Sequence, residues 1–225
     1  MKNASTPARR ILYANSSGTS PYVLSVFVTL REKGLAFDLE RVALERGAQH
    51  EGAFVAQSIT SRVPVLDDGG FALSESSAIV EYLEDVYAPP THARVLPEDA
   101  QDRARARQIM AWVRSDLMPI RVERSAEYVF YPHSEVKPFE PLSDAAERAV
   151  AKLYAAADRF VPEGGGPLFG AWCVADTDLA MMLQRLVKTS STVPAKLRAY
   201  AEAQWQRPAV QEFVAQKRPP YEPSV

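Results

Sequence analysis

The sequence predicts a small α/β domain followed by an all-helical one, and three observations carry that prediction. Up to about residue 87, short apolar runs of strand character alternate with amphipathic helical stretches, separated by glycine- and serine-rich turns. Beyond Pro89 and Pro90 the strand signal fades, and the apolar residues recur at three- and four-residue spacing instead. At 225 residues, 47 % of them apolar and 24 % charged, the chain can bury one large core or two small ones.

In the first half, "RILYA" is a short apolar run that fits a buried first strand, and "NSSGTS" follows as a loop of small polar residues. Pro21 then stands where a helix begins, a position that tolerates its missing N–H. Val23, Val26, Phe27 and Leu30 fall at i, i+3, i+4 and i+7, one stripe on a helix that Gly34 can end. "AFDLERV" restores strand alternation and completes a strand–helix–strand unit with parallel strands. Residues 45–60 are read as one short helix with irregular flanks. "VPVLD" and "FALS" flank "DDGG", a hairpin whose glycines supply positive φ. From Glu75, Ile79, Leu83 and Tyr87 face one way with Val80 beside them, on a helix that "APP" stops.

In the second half, Ala106, Ile109, Met110, Val113, Leu117 and Ile120 read as one long helical stripe. "LSDAAERAVAKLYAAADRF" is a second helix with Ser143 as its cap. "GGGP" is a loop, and no Gly-Lys-Ser/Thr follows to make it a phosphate-binding one. "DTDLAMMLQRLV" is apolar on nearly every face and belongs in the middle of a bundle. "PAKLRAYAEAQWQ" and "PAVQEFVAQK" supply two more helices, and the tail "PPYEPSV" reads as loose. The aromatic cluster "YVFYPH" suits core and the lip of an apolar pocket equally.

The bulk properties point to a cytoplasmic soluble protein with neither nucleic acid nor membrane as a partner. Net charge is −2, and Arg103, Arg105, Arg107 and Arg114 have acidic neighbours (Glu98, Asp99, Asp102, Asp116), which makes a solvated face. The single cysteine, Cys173, leaves no partner for an internal disulfide, a CxxC pair or a cysteine zinc cluster. His50, His92 and His133 never occur at ligand spacing, so no metal is expected. "MKNASTPARR" lacks the apolar stretch of a signal peptide, and no apolar run approaches membrane-spanning length.

The densest stretch is "SRVPVLDDGGFALSESSAIVEYLE". Pro64 cannot donate to a strand ladder, which implies an edge, a bulge or a cis bond. A cis bond would turn the N–H and C=O of Val63 outward, where an extended peptide could pair with them. Ser74 reads as an N-cap, but a cap needs one hydroxyl, and Ser76 and Ser77 add two more beside Glu75. Such a helix mouth binds a carboxylate, while Glu75 can receive an ammonium. Together these suit a peptide-like ligand with an α-amino-acid head.

This stretch resembles the glutathione-binding motif of the cytosolic glutathione transferases, and the element order, proline linker and helical second half extend the likeness over essentially the whole chain. The resemblance implies a thioredoxin-like glutathione-binding domain over 8–88, a linker over 89–97, and a helical substrate-site domain over 98–218. It implies that Val63 pairs with the cysteinyl backbone of glutathione, Pro64 is cis, Glu75 and Ser76 take the γ-glutamyl head, and Arg62 holds the glycyl carboxylate. It implies a two-fold homodimer. Where the family has Ser or Thr three residues before a buried Asp, this chain has Cys173 before Asp176; cysteine is a poor cap, so a weakened box, an inert buried thiol and a structural carboxylate are expected.

The chain is most similar in pattern to a bacterial serine-type member. "SPY" resembles the position where such members carry the active hydroxyl, which makes Ser20 the first candidate to bond the glutathione sulfur. Ser16 and Ser17 in the same loop and Tyr13 in the first strand are the others. The function implied is activation of the thiol of glutathione, as co-substrate, for attack on a small-molecule electrophile, with reduction of organic hydroperoxides as a second reaction. The alternative is a non-catalytic module that keeps the fold for binding. With no cysteine in the first half, thiol–disulfide exchange lacks its nucleophile.

Overall fold

The computed structural model describes residues 9–189 and 192–222, and the chain divides into two compact units, one through Ala93 and one from Arg94. The expected domain start at residue 8 and the last three tail residues lie outside the described range.

The first unit runs β1 (Arg10–Asn15), α1 (Pro21–Glu32), β2 (Asp38–Val42), two 3₁₀ turns (Leu44–Arg46 and Ala48–His50), α2 (Gly52–Gln57), β3 (Val65–Asp68), β4 (Phe71–Ser74) and α3 (Ser76–Val86). The sheet order is β2-β1-β3-β4; β1 is parallel to β2, and β3 is antiparallel to both of its neighbours. Pro21 opens α1 as read, but burial runs unbroken from Val23 to Leu30 rather than along one stripe, because α1 packs on both β1 and α3. The short helix read within residues 45–60 is α2, and the two 3₁₀ turns stand in its irregular N-terminal flank. Ser74 is not the cap of α3. It pairs with Val65 as the last residue of β4, and Glu75, at φ 75°, makes the turn into the helix without a side-chain bond.

Two buried polar clusters fasten α3, one to the end of α1 and the other to the sheet. Lys33 Nζ, fully buried after the end of α1, meets Glu84 Oε2 at 2.6 Å and donates to the carbonyls of Tyr87 and Ala93 at 2.9 and 3.0 Å. A cation suits the C-terminal end of a helix. At the Arg10 end of the sheet, Asp68 accepts from Tyr82 and Tyr87 at 2.9 and 2.5 Å and pairs with Arg10 at 2.9 Å.

The second unit contains α4 (Ala100–Ser115), α5 (Met118–Glu123), α6 (Glu127–Phe130), α7 (Asp144–Phe160), α8 (Val174–Val187), α9 (Ala195–Trp205) and α10 (Pro208–Val214). The stripe read through Ile120 is two helices: Pro119 cannot continue a helix, and Leu117 at φ 61° makes the break. Helix α8 is buried along nearly its whole length and packs on α4, α6 and α9. Leu179, Leu183 and Leu186 meet Ile109, Val113, Leu153, Leu197 and Tyr200 in one core. The aromatic cluster joins the core through Phe130, whose ring lies 5.6 Å from Phe213 and 6.1 Å from Trp205. The same cluster also borders a 490 Å³ cleft with Val214, Arg218 and Pro219. Described tail residues are held, since Tyr131 donates to the Pro219 carbonyl at 3.1 Å and its ring meets Tyr221 edge to face at 5.4 Å.

The cysteine-headed capping box at α8 does form. Cys173 N donates to Asp176 Oδ2 at 2.9 Å and the Cys173 sulfur receives the Asp176 backbone. Asp176 is fully buried and also accepts from Leu168 N and Tyr200 Oη, both at 2.9 Å. Sulfur reaches farther than oxygen, so a weak acceptor still closes the ring. Burial pushes the Cys173 thiol up, which leaves it protonated and inert. Burial likewise raises the Asp176 carboxyl.

Candidate functional site

The sheet register gathers the candidate residues. Tyr13 lies opposite Val65 and Val65 opposite Ser74, one row across three strands about 4.8 Å apart. The residues after Tyr13 on β1, before Val65 on β3 and after Ser74 on β4 therefore leave the sheet at the same end. Those residues are Asn15 to Ser20, Arg62 to Pro64, and Glu75 with Ser76. The parallel pairing of Asn15 with Val42 brings the end of β2 there as well. Helices α1 and α3 both start at this end, so two sets of free N–H groups and two positive dipole ends meet there.

The Val63–Pro64 bond is cis. Pro64 is buried, Val63 is half-buried, and the ladder starts only at Val65, which leaves Val63's N–H and C=O outside it. Arg62 is exposed; its backbone is held by Ser58, whose Oγ donates to the Arg62 carbonyl at 3.1 Å and accepts from its N–H at 3.2 Å. Glu75 projects from the α3 mouth with its carboxylate exposed, and Ser76 is buried at the first turn.

The hydroxyl candidates separate by their partners. Ser20 is the N-cap of α1: its Oγ accepts from Val23 N at 3.3 Å, which leaves its O–H to donate. The Ser16 O–H donates to Glu45 Oε2 at 2.8 Å. Ser17 Oγ accepts from Asn15 Nδ2 at 2.6 Å and lies 3.0 Å from Thr19 Oγ1. The Tyr13 ring packs edge-on against Phe54 at 5.7 Å, within a cluster that includes Val42 and Val65.

The sequence reading missed Arg41 and Asn15. Arg41 donates to the Asn15 carbonyl at 3.1 Å and covers Gly18 so closely that a Cβ there would lie 2.3 Å from Nη1. The Arg41 side chain could swing aside, so it is the backbone at φ +63° that favours glycine at position 18. No local signal marks Arg41, which reaches the loop only because β2 pairs with β1. Among the described residues no group of three or more His, Cys, Asp and Glu side chains could hold a metal, and no helix is long and apolar enough to cross a membrane.

Residues 99–218 match the family model of the glutathione S-transferase C-terminal domain, and residues 19–86 match that of the N-terminal domain. The fold resembles the crystal structure of a glutathione transferase homologue from Burkholderia gl BGR1 with bound glutathione. The TM-score is 0.76 and identity 44 %, covering 92 % of this chain and 96 % of that one. The chain is 31 % identical over 117 residues to glutathione S-transferase theta-3 of Mus musculus, covering 52 % of this chain and 48 % of that protein. It is 36 % identical over 102 residues to a maleylpyruvate isomerase of Ralstonia sp, covering 45 % and 47 % respectively. The matches thus span about half the length of these curated relatives.

Proposed function

The chain belongs to the glutathione S-transferase family, and from that premise we propose that it is a serine-type glutathione transferase. In this reading residues 8–88 bind glutathione and residues 98–218 form the substrate-site domain. The observation that carries it is the meeting of Ser20, Val63, Glu75 and Ser76 with two helix N-termini at one end of the sheet. Each part of glutathione has a chemical counterpart there. The γ-glutamyl ammonium pairs with Glu75, and its carboxylate takes the Ser76 hydroxyl and the N–H groups of α3. The cysteinyl backbone pairs with Val63 as a strand would, and Arg62 receives the glycyl carboxylate.

The sulfur then lies toward Ser20. Its O–H and the positive end of α1 favour the thiolate. The thiol proton leaves to solvent, the thiolate forms a carbon–sulfur bond with the electrophile, and the leaving group departs with its electron pair. The same thiolate reduces an organic hydroperoxide by attacking its terminal oxygen. The O–O bond breaks, and the alkoxide leaves with the electron pair and takes a proton from solvent. A second glutathione thiol converts the resulting sulfenic acid to disulfide and water.

Retention on immobilised glutathione, followed by turnover of aryl halides and hydroperoxides, tests the assignment. Binding without any turnover would overturn it in favour of a non-catalytic module. Loss of a charge-assisted hydrogen bond costs about 1.5–3 kcal/mol, so Glu75→Ala should weaken glutathione binding roughly ten- to a hundredfold by calorimetry. An unchanged affinity would remove the amino-acid-head argument.

A further inference from the structure

The geometry points to Asn15 as a positioning residue that aims the Ser20 and Ser17 hydroxyls at the bound thiol; the inference rests on Ser20 being that thiol's hydrogen-bond donor. Asn15 ends β1, and its side chain touches three of the loop residues that follow. Oδ1 accepts from the Ser20 backbone N–H at 3.3 Å. An N–H can be met only by an oxygen, which fixes the amide orientation and turns Nδ2 toward the hydroxyls. Nδ2 donates to Ser17 Oγ at 2.6 Å and to Thr19 Oγ1 at 3.3 Å.

Counting protons shows what this arrangement leaves over. The Asn15 amide and the two hydroxyls bring four N–H and O–H protons. Three contacts within the cluster use three of them: the two amide bonds and the 3.0 Å contact between Ser17 and Thr19. One hydroxyl proton must point outward. Thr19 is buried and Ser17 half-buried, so Thr19 donates inward to Ser17, and the Ser17 O–H faces out. Ser17 then accepts two hydrogen bonds while donating one, which strengthens it as a donor.

Ser20 is fixed on two sides, its N–H by Asn15 and its Oγ by Val23 N. The Asn15 carbonyl accepts from Gly18 N at 3.0 Å and Arg41 at 3.1 Å, so the backbone of the hub is held as well. A donor held in place before the thiolate forms needs no reorganisation when charge appears.

The test measures glutathione affinity by calorimetry, the bound thiol's pKa by ultraviolet titration, and turnover, in wild type, Ser20→Ala, Asn15→Ala and the double variant. Asn15→Ala should hold glutathione within about threefold, raise the thiol pKa and cut turnover at neutral pH roughly tenfold or more, as misplaced catalytic groups do. In the Ser20→Ala background the same change should alter turnover less than about threefold, the residue of Ser17. A purely structural Asn15 would lower stability and affinity but leave the thiol pKa alone, and that outcome overturns the inference. So do effects that simply add in the double variant. If Asn15→Ala does not fold, Asn15→Asp keeps the acceptor for the Ser20 N–H, and comparing it in both backgrounds cancels its added charge. A Ser20→Ala variant that shifts beside an Asn15 variant that does not would sink this inference alone. A Ser20→Ala variant that titrates like wild type would sink the Ser20 reading and the inference with it.

Discussion

A thiol near its reference pKa of about 8.5 is only a few per cent ionised at neutral pH, so the proposed chemistry depends on one well-aimed donor. Among the four hydroxyls weighed from the sequence, two have other work. The Ser16 proton goes to Glu45, and Tyr13 packs on Phe54. Ser20→Ala should leave glutathione affinity within a few-fold, raise the thiol pKa, and cut turnover roughly ten- to a hundredfold, the scale of one charged hydrogen bond. Ser16→Ala and Tyr13→Phe should both titrate like wild type. A pH titration of thiolate absorbance across these variants decides it, and an upward shift in Ser16→Ala with none in Ser20→Ala would reverse the assignment.

At the scale of elements, each unit is fastened by a buried polar group. Lys33 joins the end of α1 to α3 through Glu84, with both side chains nearly out of solvent. Removing one partner of a buried pair leaves the other charge uncompensated, at about 3–5 kcal/mol. Lys33→Met should therefore destabilise by that order in urea, and Lys33→Met with Glu84→Leu should recover most of the loss. No recovery in the double variant would mean that the charge pair is not what holds the helices.

In the second unit Tyr200 is fully buried against the α8 capping box, and burial pushes its hydroxyl well above the ordinary range. Because the folded pKa exceeds the unfolded value of about 10, the neutral phenol's contribution is present below that pH and is lost as pH rises beyond it. Tyr200→Phe removes the 2.9 Å bond to Asp176. It should cost about 1.5–3 kcal/mol at neutral pH and flatten the loss of stability above about pH 10. Urea unfolding at a series of alkaline pH values measures both, and equal slopes in variant and wild type would refute the linkage.

For the whole molecule, the family reading implies a two-fold homodimer, and each unit leaves large apolar side chains in solvent. Ile59 is 92 % exposed in the first unit, and Met118 and Val122 are exposed one turn apart in the second. Light scattering at micromolar concentration should give about twice the chain mass of 24.9 kDa. A monomer mass at that concentration would refute the dimer.

The sequence by itself determined the order of strands and helices, the proline-started helices and the residue types at the site, because periodicity, turn chemistry and proline act over a few neighbouring residues. Even there it misread Ser74 as a cap and ran one stripe through Leu117, since apolar spacing continues across a break that Pro119 marks locally and the φ of Leu117 makes. Only the tertiary structure decided which hydroxyl keeps a proton to give. Ser16 loses its own to Glu45, 29 residues away, and Arg41 reaches the loop from a neighbouring strand. Hydrogen-bond partners brought together by strand pairing leave no trace in local sequence, and at this site those partners separate one serine from the next.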